Sequence, residues 1–480
     1  MKQTDWKIIY SNYDGISKRA VNFLSKEMGK LIIREPNVYR IYVLPCEKEG
    51  ASLTKNVVFL GLYQESETIR SFVEEKEIKE NGFLVKVIEN PTEQDGRYVI
   101  LTAKDLPNLF YATVSFIDEY IPQNAPHYGS NRMPDLIFDT PLPKCCYSQS
   151  GGNATRSIFT WGHSINDYRS YIDNMARLRF NQLIIWNDYV PINICDVIDY
   201  AHSYGIKVNL GYSWGWVVRC RELSEISDER LDELKTTIIK EYENNYRQTN
   251  CDGIYFQTFT ERDNEYIGDR LAAEAATTLV NMTANELLSK YPELKLQFGL
   301  HASSVINHLD EIEKVDERIE ILWEDCGEFP YAYTPFVSKQ EAFEQTLDFT
   351  QKLLALRNGR GVGLVFKGVM MLDWTKFVNQ SGPYVLGENA KDIAEHDKRI
   401  RSNSWRLISA NWSQSVDKAA ETFAFIDKNR ISDVTTCIAG TFDGGIYLPF
   451  ALAAELFLNP QASAQETLKK VLKKSCVTTD

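Results

Sequence analysis

One stretch of the chain indicates both its fold and the position of its chemistry. It reads Cys251-Asp252-Gly253-Ile254-Tyr255-Phe256-Gln257-Thr258-Phe259-Thr260-Glu261-Arg262-Asp263. The apolar first half is typical of a short buried strand, helical segments precede and follow it, and Glu261 stands where polar residues begin. In barrels of alternating strands and helices, the chemistry lies at the carboxyl ends of the strands. We therefore predict that Glu261 ends one βα unit of such a barrel.

Similar strand-then-helix units lie on both sides of this stretch, and their repetition predicts a parallel α/β architecture. The predicted strands are 157–161, 182–186, 207–212, 253–257, 295–300, 319–323 and 363–371. Residues 407–412 are a candidate for the eighth strand, although they fit a helix as well. We predict an α/β chain with a TIM (β/α)8-type barrel over residues 152–412, in which the last strand is regular, distorted or missing.

The segments outside the predicted barrel differ from it in pattern. Residues 1–130 carry short strands at 41–44, 57–60, 82–87 and 97–102 and helices at 65–75 and 105–117, which predicts a small α/β companion domain. Prolines are frequent between residues 121 and 143 and predict a linker, placed at 131–151. Residues 413–480 predict a helical region, with helices at 415–429, 447–458 and 464–474.

Composition narrows the class of partner. No apolar run approaches the roughly 18 residues that span a bilayer, so we predict a globular protein without a membrane span. The net charge of -13 and the lack of a Lys/Arg cluster argue against a nucleic-acid partner. Nine cysteines are scattered without a CxxC pair, which predicts reduced thiols and neither a zinc site nor any other cofactor.

The amino terminus has no hydrophobic signal region. This favours a cytoplasmic protein, or a secreted or periplasmic one whose signal has been removed. Nothing in the sequence indicates the oligomeric state.

Aromatic and polar residues recur at the ends of the predicted strands. In a barrel these ends converge on one face, so the residues would surround a single cleft whose chemistry suits a sugar. The predicted substrate-binding residues are Trp161, His163, Trp186, Asp188, Tyr212, Trp214, Trp216, His301, Trp323 and Trp374. About half of such tryptophans would instead belong to the core, and each histidine fits a structural role equally well.

Carboxylates follow the fourth, sixth and seventh predicted strands. Glycoside hydrolysis needs a protonated carboxyl that assists the leaving group and an ionised one that acts as nucleophile or as base for water. Glu261 is the predicted general acid, and its partner is Glu324, Asp325 or Asp373. The alternative for any one of them is a helix cap or a salt bridge. The carboxyl separation that decides between retention and inversion stays open.

Two parts of the chain resemble a known group of enzymes. Residues 82–85 and 97–101, followed by Asp105-Leu106-Pro107-Asn108-Leu109-Phe110-Tyr111-Ala112, resemble the companion domain that precedes the barrel in β-N-acetylhexosaminidases, α-glucuronidases and their relatives. Residues 174–181 are similar to the first helix of those barrels. The resemblance extends over about 330 residues at the level of architecture. It implies a glycoside hydrolase.

The two branches of that group imply different mechanisms. The segment from Asp252-Gly253 to Thr260-Glu261 is similar to the fourth strand of α-glucuronidases, which implies that Glu261 is the acid and that Glu324, Asp325 or Asp373 activates water. β-Hexosaminidases place an Asp-Glu pair there, and the Asp orients the acetamido group of the substrate as nucleophile. This chain has Thr260 before Glu261, which departs from that pattern.

Two classes of function outside hydrolysis remain as alternatives. A carbohydrate-binding protein on a degenerate barrel would fit a weak eighth strand and an uncertain second carboxylate. A lyase or isomerase on the same fold is disfavoured, since the predicted strand ends carry neither a Lys base nor a metal-ligand set.

Overall fold

The computed structural model describes most of the chain. The described residues are 5–31, 44–124, 141–150, 155–160, 164–186, 189–215, 224–262, 264–301, 304–324, 340–367, 382–440, 445–474 and 476–478. The chain divides into two units. The first is Met1–Asn153 with Ser203–Gly205 and Lys469–Val477, and the second is Ala154–His202 with Ile206–Leu468 and Thr478–Asp480.

The first unit contains a mixed six-stranded sheet in the order β2-β1-β3-β5-β4-β6. Its strands are β1 Trp6–Tyr10, β2 Cys46–Lys48, β3 Asn56–Leu62, β4 Gly82–Glu89, β5 Arg97–Ala103 and β6 Cys145–Ser150. Its helices are α1 Gly15–Leu31, α2 Glu67–Phe72, α3 Leu106–Ser115 and α4 Ile121–Asn124. The central strands β3 and β5 are parallel and almost wholly buried, as their continuous apolar runs require.

Local signals account for the start of α3. The side chain of Asp105 accepts a hydrogen bond from the backbone N–H of Asn108 at 2.9 Å, and Pro107 lies in the first turn. An acidic N-cap and an early proline both favour a helix start, because the first N–H groups of a helix have no partner within it.

The predicted linker at 131–151 is partly wrong. Residues 145–150 form β6, which pairs antiparallel with β4 at the edge of the first sheet. The strand was missed because it follows a run of prolines and carries little apolar character. The predicted strand at 41–44 falls largely on 41–43, outside the described residues.

The second unit contains a closed barrel of eight parallel strands with helices around it. The barrel strands are β7 Arg156–Phe159, β8 Gln182–Trp186, β9 Lys207–Ser213, β10 Gly253–Gln257, β13 Lys295–Leu300, β14 Ile319–Trp323, β15 Val362–Lys367 and β16 Thr435–Ala439; a hairpin of β11 Tyr266–Ile267 and β12 Arg270–Leu271 follows β10. The helices are α5 Tyr168–Arg177, α6 Ile194–His202, α7 Asp228–Glu241, α8 Ala272–Lys290, α9 Leu309–Ile312, α10 Gln340–Ala355, α11 Lys391–Gln414 and α12 Val416–Asn429. The predicted fold class is therefore confirmed.

The eighth strand is not where the sequence placed it. Residues 407–412 lie inside α11, whereas β16 pairs in parallel with both β15 and β7 and closes the barrel. The barrel thus extends beyond residue 412, and its last strand is regular. Beyond β16 the chain forms β17 Ile446–Tyr447, α13 Leu448–Leu458, α14 Ala464–Leu472 and β18 Val477–Thr478.

Side chains alternate between the inside and the outside of the barrel, as the period of two in a strand requires. One buried cluster fills the inside and includes Ile184, Trp186, Tyr255 and Leu322. At the amino ends of the strands, the interior carries hydrogen-bonded polar side chains, which we call the floor cluster. They are Ser157, Gln182, Asn209, Gln297, Glu320 and Thr435.

Candidate active site

Glu324 lies at the carboxyl end of the barrel, directly after β14. It follows Leu322 by two residues and therefore points inward. Only 2% of its surface is exposed. Its Oε1 accepts hydrogen bonds from the hydroxyl of Tyr255 and from Nε2 of Gln257, two inward residues of β10. A buried carboxylate needs such donors, so β10 supplies the partners that hold Glu324 in the barrel.

Gly299 on β13 provides the space for this arrangement. A Cβ atom at position 299 would overlap Oε1 of Glu324 and the hydroxyl of Tyr255. Burial, and after it the adjacent Glu324 carboxylate, raises the pKa of Tyr255 well above its usual value. Tyr255 therefore stays protonated and acts as a hydrogen-bond donor.

His301 connects Glu324 with Glu261. It directly follows β13, and its Nε2 lies 3.2 Å from Oε2 of Glu324 and 3.9 Å from Oε2 of Glu261. His301 is 4% exposed, whereas the side chain of Glu261 is 26% exposed. The three residues form a row that runs from the barrel interior to its open end, and Glu261 is the member that solvent reaches.

Glu261 stands on a loop beyond the end of β10. The residues between the strand and Glu261 are buried, namely Thr258, Phe259 and Thr260. Ser304, from the loop after β13, donates its hydroxyl to the backbone oxygen of Thr260 at 2.6 Å. The loop that carries Glu261 is thereby attached to the loop that follows His301.

Trp186 lies beside Tyr255, which donates a hydrogen bond to Glu324. It ends β8 on the inner face, and its ring meets that of Tyr255 edge to face with centroids 5.8 Å apart. Gly211 on β9 leaves room for the indole, because a Cβ there would lie 2.6 Å from Cε3 of Trp186. Among the predicted aromatic residues that the structure describes, Trp186 is the one that it places inside the barrel near Glu324.

Three other predicted sugar-binding residues face away from the barrel interior. Tyr212 donates its hydroxyl to the backbone oxygen of Ile238 at 3.1 Å and stacks on Tyr246. Trp214 is completely buried and stacks on Phe256. Trp323 packs against Phe349 of α10. These contacts are packing against neighbouring strands and helices outside the barrel interior, which corrects the prediction that the three residues line the sugar cleft.

The remaining predicted site residues lie outside the described residues. They are Trp161, His163, Asp188, Trp216, Asp325, Asp373 and Trp374.

Sequence reasoning missed Tyr255, Gln257 and Gly299. All lie in the quoted or predicted strands, whereas the site residues predicted for β10 and β13 are Glu261 and His301, which follow the strands. The period of two would have found Gln257, since it shares a face with Tyr255 in an otherwise apolar strand. Gly299 has no such signal, because its role depends on side chains of two neighbouring strands.

Within the described ranges, His, Cys, Asp and Glu side chains form no group of three that could hold a metal ion. In the same part of the chain, every helix is too short or too polar to cross a membrane.

Comparisons with known proteins find likeness in structure only. No protein-family model and no curated protein matches the chain. Among solved structures, a family 115 4-O-methyl-α-glucuronidase with specificity for decorated arabinogalactans matches 98% of this chain at 12% identity and a TM-score of 0.50. The chain spans 59% of that protein. At this identity the likeness concerns the fold.

Weaker matches have TM-scores below 0.50. A family 20 β-N-acetylhexosaminidase from Streptomyces coelicolor A3(2) is 11% identical over 97% of this chain and 87% of its own, with a TM-score of 0.47. An exo-β-N-acetylglucosaminidase from Vibrio harveyi is 10% identical over 100% of this chain and 71% of its own, with a TM-score of 0.45.

Proposed function

We propose that the chain is a glycoside hydrolase in which Glu261 is the general acid. The observation that carries the proposal is the row of Glu261, His301 and Glu324 at the carboxyl end of a closed barrel. Active sites of such barrels lie at this end. Glu261 is the accessible carboxyl of the row, and it can donate its proton to the glycosidic oxygen as the carbon–oxygen bond breaks. Water supplies the hydroxyl that replaces the leaving group, and its remaining proton passes to a second carboxylate.

Glu324 has a positioning role in this proposal. One of its oxygens accepts from Tyr255 and Gln257, the other lies 3.2 Å from His301, and the residue is 2% exposed. A carboxylate enclosed in this way orients His301 and does not reach a sugar. The second catalytic carboxylate is therefore proposed to be Asp325 or Asp373, both outside the described residues.

Two earlier alternatives lose support. The carbohydrate-binding alternative rested partly on a weak eighth strand, and β16 closes the barrel regularly. The substrate-assisted mechanism needs an Asp before the acid, but Thr260 occupies that position and is completely buried. We therefore favour a mechanism with two carboxylates of the protein.

The test is turnover of α- and β-linked aryl glycosides, including glucuronides and N-acetylhexosaminides. The wild-type chain is compared with Asp325→Asn, Asp373→Asn and the surface variant Asp433→Asn. We expect release of the aryl group from one glycoside, and a fall in kcat of about 100-fold or more in one of the first two variants. Asp433→Asn should match the wild type. The proposal would be contradicted if the wild-type chain released the aryl group from none of the glycosides, or if both Asp325→Asn and Asp373→Asn kept the kcat of the wild type.

A further inference from the structure

The position of Glu261 depends on a loop and not on the barrel ladder. Glu261 lies four residues beyond the end of β10, so strand pairing does not set the direction of its side chain. Glu265 lies four residues further along the chain and directly precedes the hairpin of β11 and β12. Whatever holds Glu265 therefore also limits where Glu261 can lie.

Glu265 is held by two side chains from the loop after β13. Nδ2 of Asn307 donates to Oε1 of Glu265 at 2.7 Å, and Nε2 of His308 lies 3.2 Å from Oε2. The backbone oxygen of Glu265 accepts from the N–H of Ala272, the first residue of α8, at 2.8 Å. We call Glu265, Asn307 and His308 the clasp.

The clasp joins the two loops that form the site. β13 leads directly into His301, and β10 leads into Glu261. The bond from Ser304 to Thr260 attaches these loops before Glu261, and the clasp attaches them after it. The loop that carries Glu261 is thus attached to the loop after β13 on both sides of Glu261, whose Oε2 lies 3.9 Å from Nε2 of His301.

The clasp is suited to positioning and poorly suited to stabilising the fold. The side chains of Glu265 and His308 are 33% and 22% exposed. Ion pairs and hydrogen bonds that solvent reaches contribute little to global stability. The hydrogen bonds from Asn307 and His308 lower the pKa of Glu265, so the carboxylate is ionised at neutral pH and both of its oxygens accept.

We infer that Glu265, whose carboxylate accepts hydrogen bonds from Asn307 and His308, is a positioning residue that places Glu261 against His301. The inference rests on the proposed function, because it assigns Glu265 a role through the general acid. A displacement of about 1 Å at a reacting group can lower a rate by as much as 100-fold.

The test compares two glycosides of the same sugar whose leaving groups differ in their need for an acid. A phenyl leaving group needs protonation, whereas a dinitrophenyl group departs with little help from an acid. If Glu265→Ala displaces Glu261, kcat should fall by about 10-fold or more for the phenyl glycoside and by less than about 2-fold for the dinitrophenyl glycoside of the same sugar. Glu265→Gln keeps the length of the side chain and one acceptor oxygen, and should recover most of the activity.

The matched control is Glu243→Ala. Glu243 is partly exposed and accepts from Lys290 and Tyr291, both at 3.3 Å, but it lies in the π-helical segment Tyr242–Tyr246 that follows α7. The Glu243→Ala variant should have the kcat of the wild type on both glycosides, and its melting temperature should match that of Glu265→Ala.

Two failures can be told apart. If Glu261→Gln loses activity while Glu265→Ala retains it on both substrates, or loses it equally on both, the positioning role is wrong and the hydrolase stands. If the wild-type chain releases neither aryl group, the proposed function and the inference fall together.

Discussion

Adjacent residues at the end of a strand point to opposite sides of the barrel wall. Trp323 and Glu324 show this directly. Trp323 packs outward on Phe349, whereas Glu324 points inward to Tyr255. A one-residue step reverses the face, so a residue type at a strand end says little until its register is known.

The floor cluster provides a prediction at the same scale. Oε2 of Glu320 accepts from Gln297 at 2.6 Å and Oε1 accepts from Thr435 at 2.5 Å. Burial raises the pKa of Glu320 above the ordinary value of a glutamic acid side chain. The folded state therefore binds this proton more tightly than the unfolded state does. The resulting stability is fully present below the unfolded pKa and is lost as the pH rises through the folded one.

Glu320→Gln should remove the loss of stability that the wild type undergoes when Glu320 ionises, because glutamine does not titrate. Relative to the wild type, the variant should gain free energy of unfolding as the pH rises from about 4 to 8, by about 1.4 kcal/mol for each unit by which the pKa is raised. Urea denaturation over that pH range measures the difference, and the two proteins should differ least at the acidic end. A difference that stays constant with pH would show that Glu320 does not titrate in this way.

Residue identities predicted part of the site. Glu261, Glu324 and His301 were found because ionisable side chains follow apolar strands. Their burial and their hydrogen-bond partners could not be predicted in this way, because both depend on residues of other strands. The placement of Glu324 as an enclosed partner of His301 depends on Tyr255 and Gln257 of β10.

At the scale of elements, four strands were predicted with their observed bounds, β8, β10, β13 and β14. Each is a short, mainly apolar run with turn signals beside it, which is typical of a strand buried on both faces. The eighth strand was missed for two reasons. Thr435-Thr436-Cys437-Ile438-Ala439 is short and begins with polar residues, whereas α11 carries Trp405, Ile408 and Trp412 at helical spacing on its buried face.

This assignment of the eighth strand can be tested with two truncations. Ile438 of β16 is completely buried, and Leu407 of α11 is 40% exposed. Ile438→Ala should lower the free energy of unfolding by about 2 to 5 kcal/mol, since it empties space in a packed core. Leu407→Ala should cost less than about 1 kcal/mol. Denaturant unfolding of both variants measures the contrast, and equal losses would contradict the assignment.

At the scale of the whole molecule, the barrel brings together groups that are distant in sequence. Glu261 and His301 are 40 residues apart in the chain, yet their side chains meet at 3.9 Å because β10 and β13 are neighbours in the barrel. Parallel strands with helical connections produce this convergence at one end. The predicted architecture was sufficient to place Glu261 at that end, but not to identify which carboxylate reaches the substrate.

The central claim is that Glu261 is the general acid of a glycoside hydrolase. The most direct measurement is the turnover of the glycoside that the wild-type chain cleaves, with wild type and Glu261→Gln assayed in parallel. Glutamine keeps the shape of the side chain and cannot donate a carboxyl proton, so kcat on a phenyl glycoside should fall by about 100-fold or more. Equal turnover by the two proteins would contradict the claim and remove Glu261 from the mechanism.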